Sequence, residues 1–250
     1  MKGLHDESRG LPRLAFGRNV PHDRPVIPEV TFDFVLDHGR CVIVRIPDGA
    51  AAVDALAEAW LAPEERAACA PFSPVRRRTW VAGRAALREA LSRAGLEAPP
   101  VLADARGAPA FPHHVAGSIS HKEGFAAGLV DHASGARLGV DLENDVERGI
   151  DIASKILTAD ELAQIDGLPA RARARAVLVR FSAKEAIYKG LDPFVHRYVG
   201  FKEVTVSPLE DGRIIAAAHL PPGEGSFVID ARWRVFDGLI LTTARVHPRV

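Results

Sequence analysis

The most constraining feature of this 250-residue sequence is an acid that falls inside an apolar stripe. The segment 181–189 reads FSAKEAIYK, and at helical spacing Glu185 shares one face with large apolar side chains. These are Val177, Leu178, Phe181 and Tyr188. A buried carboxylate without a partner is costly, so a lysine, an arginine or a metal ion must meet Glu185 in the fold. Lys184 and Lys189 flank it in the sequence.

The composition is that of a globular chain. Hydrophobic residues make up 47% and charged residues 26%, enough for one large domain or two smaller ones. Because 32 basic and 32 acidic side chains balance, no net charge favours nucleic acid or an anionic membrane as a partner. Cys41 and Cys69 form no metal-type or redox-type spacing and are predicted to be reduced. The N-terminus lacks a signal-peptide core and no apolar run reaches about 18 residues, so a cytoplasmic location is expected.

The first third of the chain predicts a lead-in, a hairpin and helices. Residues 1–28 are rich in Pro, Arg, His and Gly, which favours an extended segment. Apolar and alternating residues on both sides of His38 and Gly39 predict two strands joined by a turn. Residues 49–70 are helix-forming, and Pro63 marks a second helical start.

A better bounded helix carries a group of arginines. Ser73 is a suitable N-cap, Pro74 fits the first turn, and Gly95 ends the helix. Its predicted buried face consists of Trp80, Leu87 and Leu91. Arg77, Arg84 and Arg88 lie near that face, and Arg76 to Arg78 form a run of charge. They could bind a phosphate at the rim of the core or simply solvate the helix, and the charge run alone leaves both interpretations open.

Residues 117–130, GSISHKEGFAAGLV, predict two strands joined at 121–124. Ser120 and His121 at the strand end could donate to a phosphate, or they could be a turn feature. Because no acid stands at a recognisable nucleophile elbow, the sequence gives little support to a serine hydrolase.

The strand predicted over LGVDLE, residues 138–143, places two carboxylates on one face. Gly139, Asp141 and Glu143 point to the face opposite Leu138, Val140 and Leu142. Hard oxygen ligands without clustered cysteine or histidine suit magnesium rather than zinc. The pair could instead be the solvent face of an edge strand. Glu185 offers a third carboxylate, and three converging carboxylates with no excess of nearby cations favour a divalent metal.

The second half predicts further helices and a closing sheet. Thr158 and Glu161 form a capping-box pattern, and the arginines of residues 170–176 are expected to be solvated or to meet an acidic partner. Strands follow, with turns at 211–212 and 237–238. The predicted fold class is α+β, with an N-terminal subdomain at 29–134 and a C-terminal subdomain at 135–250, each a long helix packed on a largely antiparallel sheet.

The pair of segments GVDLE and FSAKEAIYK resembles the signature of the 4'-phosphopantetheinyl transferases. Upstream, VAGRAALREAL, RGAP and SISHKEG are similar to segments of the larger, pseudo-dimeric type, the surfactin-synthetase-activating and enterobactin-synthesis type. The resemblance spans roughly residues 61–191. It implies two similar subdomains with coenzyme A between them, magnesium, and transfer of the 4'-phosphopantetheine arm to a serine of an apo acyl or peptidyl carrier protein, with release of 3',5'-ADP.

The resemblance also implies roles for individual residues. Its metal ligands are Asp141, Glu143 and Glu185, with Glu185 a candidate base as well. Its phosphate-facing lysines are Lys184 and Lys189. Arg84 with one of Arg76 to Arg78, taken as Arg77, would hold the 3'-phosphate, Arg106 and Gly107 would border the adenine, and Ser120 and His121 would touch phosphates. Lys122 stands where enterobactin-type members often have cysteine. A monomer is expected because duplicated lobes replace a dimer, and secondary-metabolite or siderophore biosynthesis is among the expected settings.

Three other functions are compatible with parts of the sequence. A magnesium-dependent nucleotide pyrophosphohydrolase would use the same carboxylates to activate water. A non-catalytic regulator that binds coenzyme A or a nucleotide would not need three convergent acids beside lysines. A nucleic-acid binder built on the arginine runs is disfavoured by zero net charge and few aromatic residues.

Overall fold

The computed structural model describes residues 27–146 and 152–249, so the predicted lead-in at 1–28 lies outside the described residues except for Ile27 and Pro28. The first half of the chain forms an antiparallel sheet with three helices. Its elements are β1 (Val30–Leu36), β2 (Gly39–Arg45), α1 (Ala50–Trp60), α2 (Pro63–Cys69), α3 (Pro74–Arg93), β3 (Val115–Lys122) and β4 (Phe125–His132). The strand order is β1-β2-β4-β3, and α3 packs on one face of this sheet.

The second half forms a larger antiparallel sheet under one long helix. Its elements are β5 (Arg137–Asn144), α4 (Ala153–Ile156), α5 (Ala159–Gln164), α6 (Ala170–Val195), a 3₁₀ turn (Phe201–Glu203), β6 (Val204–Pro208), β7 (Arg213–Ala218), β8 (Phe227–Phe236) and β9 (Leu239–Pro248). The strand order is β5-β9-β8-β7-β6, with α6 packed across β5, β9 and β6.

The two halves repeat one arrangement, a long helix on an antiparallel sheet, and this confirms the predicted α+β class with two similar subdomains. We call the halves the N-lobe and the C-lobe. The predicted boundary between residues 134 and 135 falls in the short link from β4 to β5 and stays a prediction.

Several predicted helix starts and turns are confirmed. Helix α2 begins at Pro63, and the Ser73 hydroxyl caps α3 by accepting the Arg76 backbone N–H at 3.4 Å. The hairpin turn before Gly39 uses a φ of 118° at that glycine, a value that side-chain-bearing residues rarely adopt. The other predicted turns lie at 211–212 and 237–238. Short-range sequence signals therefore locate most element ends.

The buried face predicted for α3 is correct for two of its three residues. Leu87 and Leu91 are fully buried, whereas Trp80 is half-buried beside Phe72. The guanidinium of Arg84 lies 4.6 Å from the centre of the Trp80 ring. Trp80 therefore packs against apolar side chains and also contacts the Arg84 cation with its ring.

A strand glycine in each lobe lets the long helix approach the sheet closely. A Cβ built on Gly128 of β4 would lie 2.5 Å from the Leu87 backbone nitrogen of α3. A Cβ built on Gly139 of β5 would lie only 1.7 Å from the Ala186 carbonyl oxygen of α6. Because both obstacles are backbone atoms, only glycine fits without moving the helix. Gly139 thus sets the distance between β5 and the middle of α6.

The two sheets meet over an apolar cluster with a polar margin. The cluster combines Cys41, Ile43 and Leu129 of the N-lobe with Leu138, Val140, Leu142, Leu239 and Leu241 of the C-lobe. At its margin, β3 lies beside β5, and two serine hydroxyls of β3 accept backbone N–H groups of β5. Ser118 accepts from Val140 at 3.0 Å and Ser120 accepts from Leu142 at 3.3 Å. Side chains rather than a strand ladder therefore join the two lobes here.

Candidate active site

Asp141 lies on the face of β5 that packs against α6, and three groups donate to its carboxylate. Ser120 of β3 donates to Oδ1 at 2.9 Å, and Lys189 of α6 reaches the same oxygen at 3.0 Å. Ser182 of α6 donates to Oδ2 at 2.8 Å. Asp141 is buried, so the alternative that this acid merely faces solvent on an edge strand is wrong. Both lobes contribute to its surroundings.

Glu143, two residues further along β5, is also buried and pairs with the N-lobe. Lys122 of β3 places its Nζ 2.8 Å from Oε2 and 3.1 Å from Oε1 of Glu143. The strand alternation correctly predicted that Asp141 and Glu143 share a face. Two lysines, Lys122 and Lys189, each pair with one of the two β5 acids.

Glu185 of α6 is half-buried and, among residues 27–146 and 152–249, its carboxylate has no hydrogen-bond or ion-pair partner. Burial raises its pKa most strongly, Lys189 opposes this, and the negative charges of Asp141 and Glu143 raise the pKa further. Glu185 therefore lies within electrostatic reach of both β5 acids, as the sequence predicted. The prediction that a cation must meet its carboxylate directly is not fulfilled by any described side chain.

The described part of the chain contains no group of three or more His, Cys, Asp or Glu side chains close enough to hold a metal ion. The Lys189 ammonium group lies 3.0 Å from Asp141 Oδ1, and the Lys122 ammonium group lies 2.8 Å from Glu143 Oε2. The donor atoms of the two β5 acids and of Glu185 are all carboxylate oxygens, a set that suits a hard divalent cation. The donor chemistry thus fits magnesium, whereas in this arrangement lysines neutralise two of the three carboxylates.

The two predicted phosphate-facing lysines have different surroundings. Lys189 is half-buried and also donates to the Val140 carbonyl at 2.8 Å, which places its Nζ among the acids. Lys184 is only 2% exposed and lies 2.7 Å from Glu161 of α5. Burial lowers the Lys184 pKa and the Glu161 charge opposes that shift. Lys184 also donates to two backbone carbonyls, so its predicted role at a phosphate is corrected to a structural one.

The predicted anion-binding arginines are already engaged. Arg77 pairs with Asp54 of α1. Arg84 is buried and donates to the Val101 carbonyl at 2.8 Å, and burial lowers its pKa to about 10 against the opposing charge of Glu65. Arg77 lines an open cleft of the described residues and the buried Arg84 is not among that cleft's lining residues, so the predicted 3'-phosphate pair does not meet there.

Two clefts flank the acids. One, of about 750 Å³, is lined by Arg77, His121 and Lys122 together with apolar residues of α1 and α3. The other, of about 440 Å³, is lined by Arg106, Gly107 and Lys189 among others. Partial burial and then the Lys189 charge lower the pKa of His121. The predicted phosphate contacts Arg77 and His121 therefore line one cleft, whereas the predicted adenine contacts Arg106 and Gly107 share the other with Lys189.

Arg106 connects the lobes. Its guanidinium lies 2.5 Å from the Asp192 carboxylate of α6 and donates to the His196 carbonyl at 3.0 Å. Tyr188 donates to the same carboxylate at 3.3 Å. Gly107 follows at a φ of 85°, which turns the loop around the second cleft. An ion pair thus holds the loop of residues 104–110 against the C-lobe.

Sequence reasoning assigned no role to Ser182, Thr242 or Lys122, which touch or support the acids. Ser182 stands inside the FSAKEAIYK segment, but a small polar residue in a helix carries no directional signal. Lys122 was noted only as a departure from a family pattern. Their partners lie in other elements: Ser182 and Thr242 meet when α6 packs on the C-lobe sheet, and Lys122 meets Glu143 when the two lobes dock.

Other predictions can be compared with the described residues. Cys41 and Cys69 are free, as predicted, and both are buried. Arg171 is exposed, as expected for a solvated arginine, whereas Arg175 forms a bidentate pair with Asp145. Within residues 27–146 and 152–249, no helix is both long and apolar enough to cross a membrane.

Comparison with known proteins follows the same two lobes. Residues 63–131 match the 4'-phosphopantetheinyl transferase N-terminal domain family, and residues 137–242 match the 4'-phosphopantetheinyl transferase superfamily. The chain is 32% identical over 193 residues to 4'-phosphopantetheinyl transferase Svp of Streptomyces mobaraensis, covering 74% of this chain and 78% of that protein. It is 28% identical over 191 residues to 4'-phosphopantetheinyl transferase PptT of Mycobacterium tuberculosis, covering 72% and 83%.

Among solved structures, the chain is similar to a holo-(acyl-carrier-protein) synthase from Bacillus anthracis in complex with CoA (3',5'-ADP). The TM-score is 0.38 at 20% identity, covering 45% of this chain and 96% of that one. A Thermotoga maritima holo-[acyl-carrier-protein] synthase gives a TM-score of 0.37 at 19% identity, covering 45% and 63%.

The chain belongs to the 4'-phosphopantetheinyl transferase superfamily and to its larger, two-lobed type. It is a holo-carrier-protein synthase, which transfers the 4'-phosphopantetheine arm of coenzyme A to a serine of an apo carrier protein and releases 3',5'-ADP.

Proposed function

We propose that the transfer takes place at Asp141, Glu143 and Glu185, in the seam between the lobes, with magnesium as the cofactor. The observation that carries this proposal is the half-buried Glu185 carboxylate, which has no partner among the described residues and whose pKa is raised by burial and, to a smaller extent, by the charges of the two β5 acids. A partly buried carboxylate without a partner destabilises the fold, and such groups with perturbed pKa values occur mainly at functional sites. Phosphopantetheine transfer, the activity of the family, is a reaction in which this carboxylate can act.

The three acids would hold the magnesium ion, because they offer only carboxylate oxygens and both β5 acids lie within electrostatic reach of Glu185. When bound, such an ion neutralises charge on a pyrophosphate. Lys122 and Lys189, which pair with the β5 acids in this structure, carry charges that suit phosphate oxygens equally well. We propose that Lys189 holds the oxygen that leaves with 3',5'-ADP.

Proton transfer is assigned to Glu185. The serine Oγ of the carrier forms a bond to the β-phosphorus of coenzyme A while the bond from that phosphorus to the bridging oxygen breaks, and the serine proton passes to the Glu185 carboxylate. Burial and the neighbouring negative charges raise the pKa of Glu185. A raised pKa makes the carboxylate a stronger proton acceptor near neutral pH.

Coenzyme A is proposed to lie along both clefts and across the acids. The cleft at Arg106 and Gly107 would border the adenine, and the cleft at Arg77 and His121 would contact phosphate. The buried Arg84 supports the wall between α3 and Val101 rather than reaching an open surface. Ser120 would act on the phosphates only through Asp141, because its hydroxyl donates its hydrogen bond to that carboxylate.

The finer biological assignments are proposals as well. Residues from both lobes of one chain surround Asp141, which supports a monomer as the working form. The carrier is an acyl or peptidyl carrier protein, the compartment is the cytoplasm, and siderophore or other secondary-metabolite biosynthesis is the proposed setting. Because the charges balance, neither nucleic acid nor a membrane is proposed as a partner.

The decisive experiment incubates the protein with coenzyme A, magnesium and apo carrier proteins and weighs the carriers. A mass gain of one phosphopantetheine is expected. Glu185→Gln and Asp141→Asn should each reduce the transfer rate by at least about 10²-fold while the protein stays folded. The control is Glu210→Gln, the same change at an exposed acid far along the chain. Release of phosphate products from coenzyme A without carrier modification would instead identify a pyrophosphohydrolase.

A further inference from the structure

A buried chain of hydroxyl groups supports Asp141 from the side of α6. Ser182 and Thr242 are both 0% exposed, and the Ser182 hydroxyl donates to Asp141 Oδ2 at 2.8 Å. Thr242 on β9 is the cross-strand partner of Asp141 on β5. Its Oγ1 lies 2.9 Å from the Ser182 hydroxyl and 2.8 Å from the Ser182 backbone carbonyl. The helix, the neighbouring strand and the acid are thus tied together at one point.

The number of protons fixes the direction of these bonds. A serine or threonine hydroxyl has one proton to donate, and a carboxylate only accepts. Ser182 gives its proton to Asp141, so the Thr242 proton is shared between the Ser182 oxygen atoms. Ser120 accepts the Leu142 backbone N–H and gives its own proton to Asp141 Oδ1. Every described hydrogen-bond partner of the Asp141 carboxylate is therefore a donor that other bonds also hold in place.

The same count shows which position of Asp141 stays open. A carboxylate has about four lone-pair positions, two on each oxygen. Oδ1 takes two donors, Ser120 and Lys189, whereas Oδ2 takes only Ser182 among the described residues. One lone pair of Oδ2 is left for another ligand. The Ser182 hydroxyl occupies the other and so fixes the direction in which the open one points.

We infer that Ser182 is a positioning residue for the transfer reaction. Its hydroxyl, held by Thr242, orients the Asp141 carboxylate so that Oδ2 presents one free lone pair to a divalent cation. This inference rests on the proposed function, because it assumes that a cation binds at the three acids. Outer hydrogen bonds of this kind alter metal affinity by about 10- to 100-fold when removed. Neither Ser182 nor Thr242 contacts substrate.

The test compares Ser182→Ala with Ser118→Ala. Ser118 is a buried serine in the same seam, and its hydroxyl accepts the Val140 N–H without touching Asp141. Binding of Mn²⁺ is measured directly by electron paramagnetic resonance, in the absence of carrier protein. Ser182→Ala should raise the Mn²⁺ dissociation constant about 10-fold or more. Ser118→Ala should change it less than about 2-fold, because the carboxylate keeps its donors.

A third variant and transfer kinetics keep the inference testable if Ser182→Ala does not fold. Thr242→Val keeps the shape of Thr242 and the Ser182–Asp141 bond, and should weaken Mn²⁺ binding by less than Ser182→Ala does. In transfer assays, Ser182→Ala should require more Mg²⁺ for half-maximal rate while KM for coenzyme A changes little. Equal Mn²⁺ affinity in Ser182→Ala, Thr242→Val, Ser118→Ala and the wild type would overturn the inference, as would a wild type that binds no Mn²⁺. Failure of the wild type to modify any carrier would overturn the proposed function instead.

Discussion

Replacing Gly139 with alanine should damage the active site through the backbone of α6. The added Cβ would lie 1.7 Å from the Ala186 carbonyl oxygen and 2.7 Å from its carbon. A separation of at least 3.0 Å is needed, so β5 and α6 must move apart by roughly 1.3 Å. Overpacking of this kind costs about 3 kcal/mol when the obstacle cannot change rotamer. For a chain of this size, the melting temperature should fall by roughly 6–12 °C.

The same movement should reduce catalysis. Asp141 lies two residues beyond Gly139, and Glu185 precedes Ala186, so separation of the two elements pulls these acids apart. A displacement of about 1 Å at a catalytic group can cost about 10²-fold in rate. Stability is measured by urea unfolding, and transfer is measured by carrier mass at a temperature where the variant is folded.

Gly128→Ala is the matched control for this prediction. Its Cβ would lie 2.5 Å from the Leu87 backbone nitrogen, in the N-lobe core and away from the acids. It should lose stability on the same scale but keep its transfer rate per folded molecule. The reasoning is refuted if Gly139→Ala melts and turns over like the wild type, or if both variants lose activity equally.

Three further predictions concern charged groups. Burial raises the pKa of Glu185, so its neutral form stabilises the fold at low pH and that stabilisation is lost as pH rises through the raised pKa. Glu185→Gln should therefore raise the melting temperature at pH 8 but not at pH 4, and an equal gain at both would contradict this. Lys184→Met should lower the free energy of unfolding, measured in urea, by about 3–5 kcal/mol, because it leaves the buried Glu161 carboxylate without its cation. The folded variant should still transfer phosphopantetheine. Loss of transfer in the folded variant would show that Lys184 does contact a phosphate. Asp192→Asn should raise KM for coenzyme A several-fold at constant kcat by loosening Arg106, and an unchanged KM would show that the ion pair does not shape the cleft.

Sequence periodicity predicted the parts of the site that lie along one element. Alternation in β5 placed Asp141 and Glu143 on one face, and helical spacing placed Glu185 toward them, because these relations depend only on local backbone geometry. Caps and turn glycines located helix and strand ends for the same reason. The fold class followed from the order of these elements.

Contacts between elements could not be predicted in the same way. Lys184 and Glu185 are adjacent in the sequence, yet a helix turns them about 100° apart, and the buried Glu161 attracts one of them. Lys122 and Arg106 meet their partners only after the lobes dock, and Ser182 meets Asp141 and Thr242 only after α6 packs on β5 and β9. The tight approach at Gly139 is likewise a property of two backbones, whereas the sequence predicted only which face the residue is on.

The serine contacts between β3 and β5 also bear on how the chain avoids self-association. Strands at the margin of a sheet expose N–H and C=O groups that can recruit a strand from another molecule. On β5, the N–H groups of Val140 and Leu142 are occupied by Ser118 and Ser120. The N-lobe therefore covers the margin of the C-lobe sheet without merging with it into one continuous sheet, and β5 is kept from templating an intermolecular strand pair.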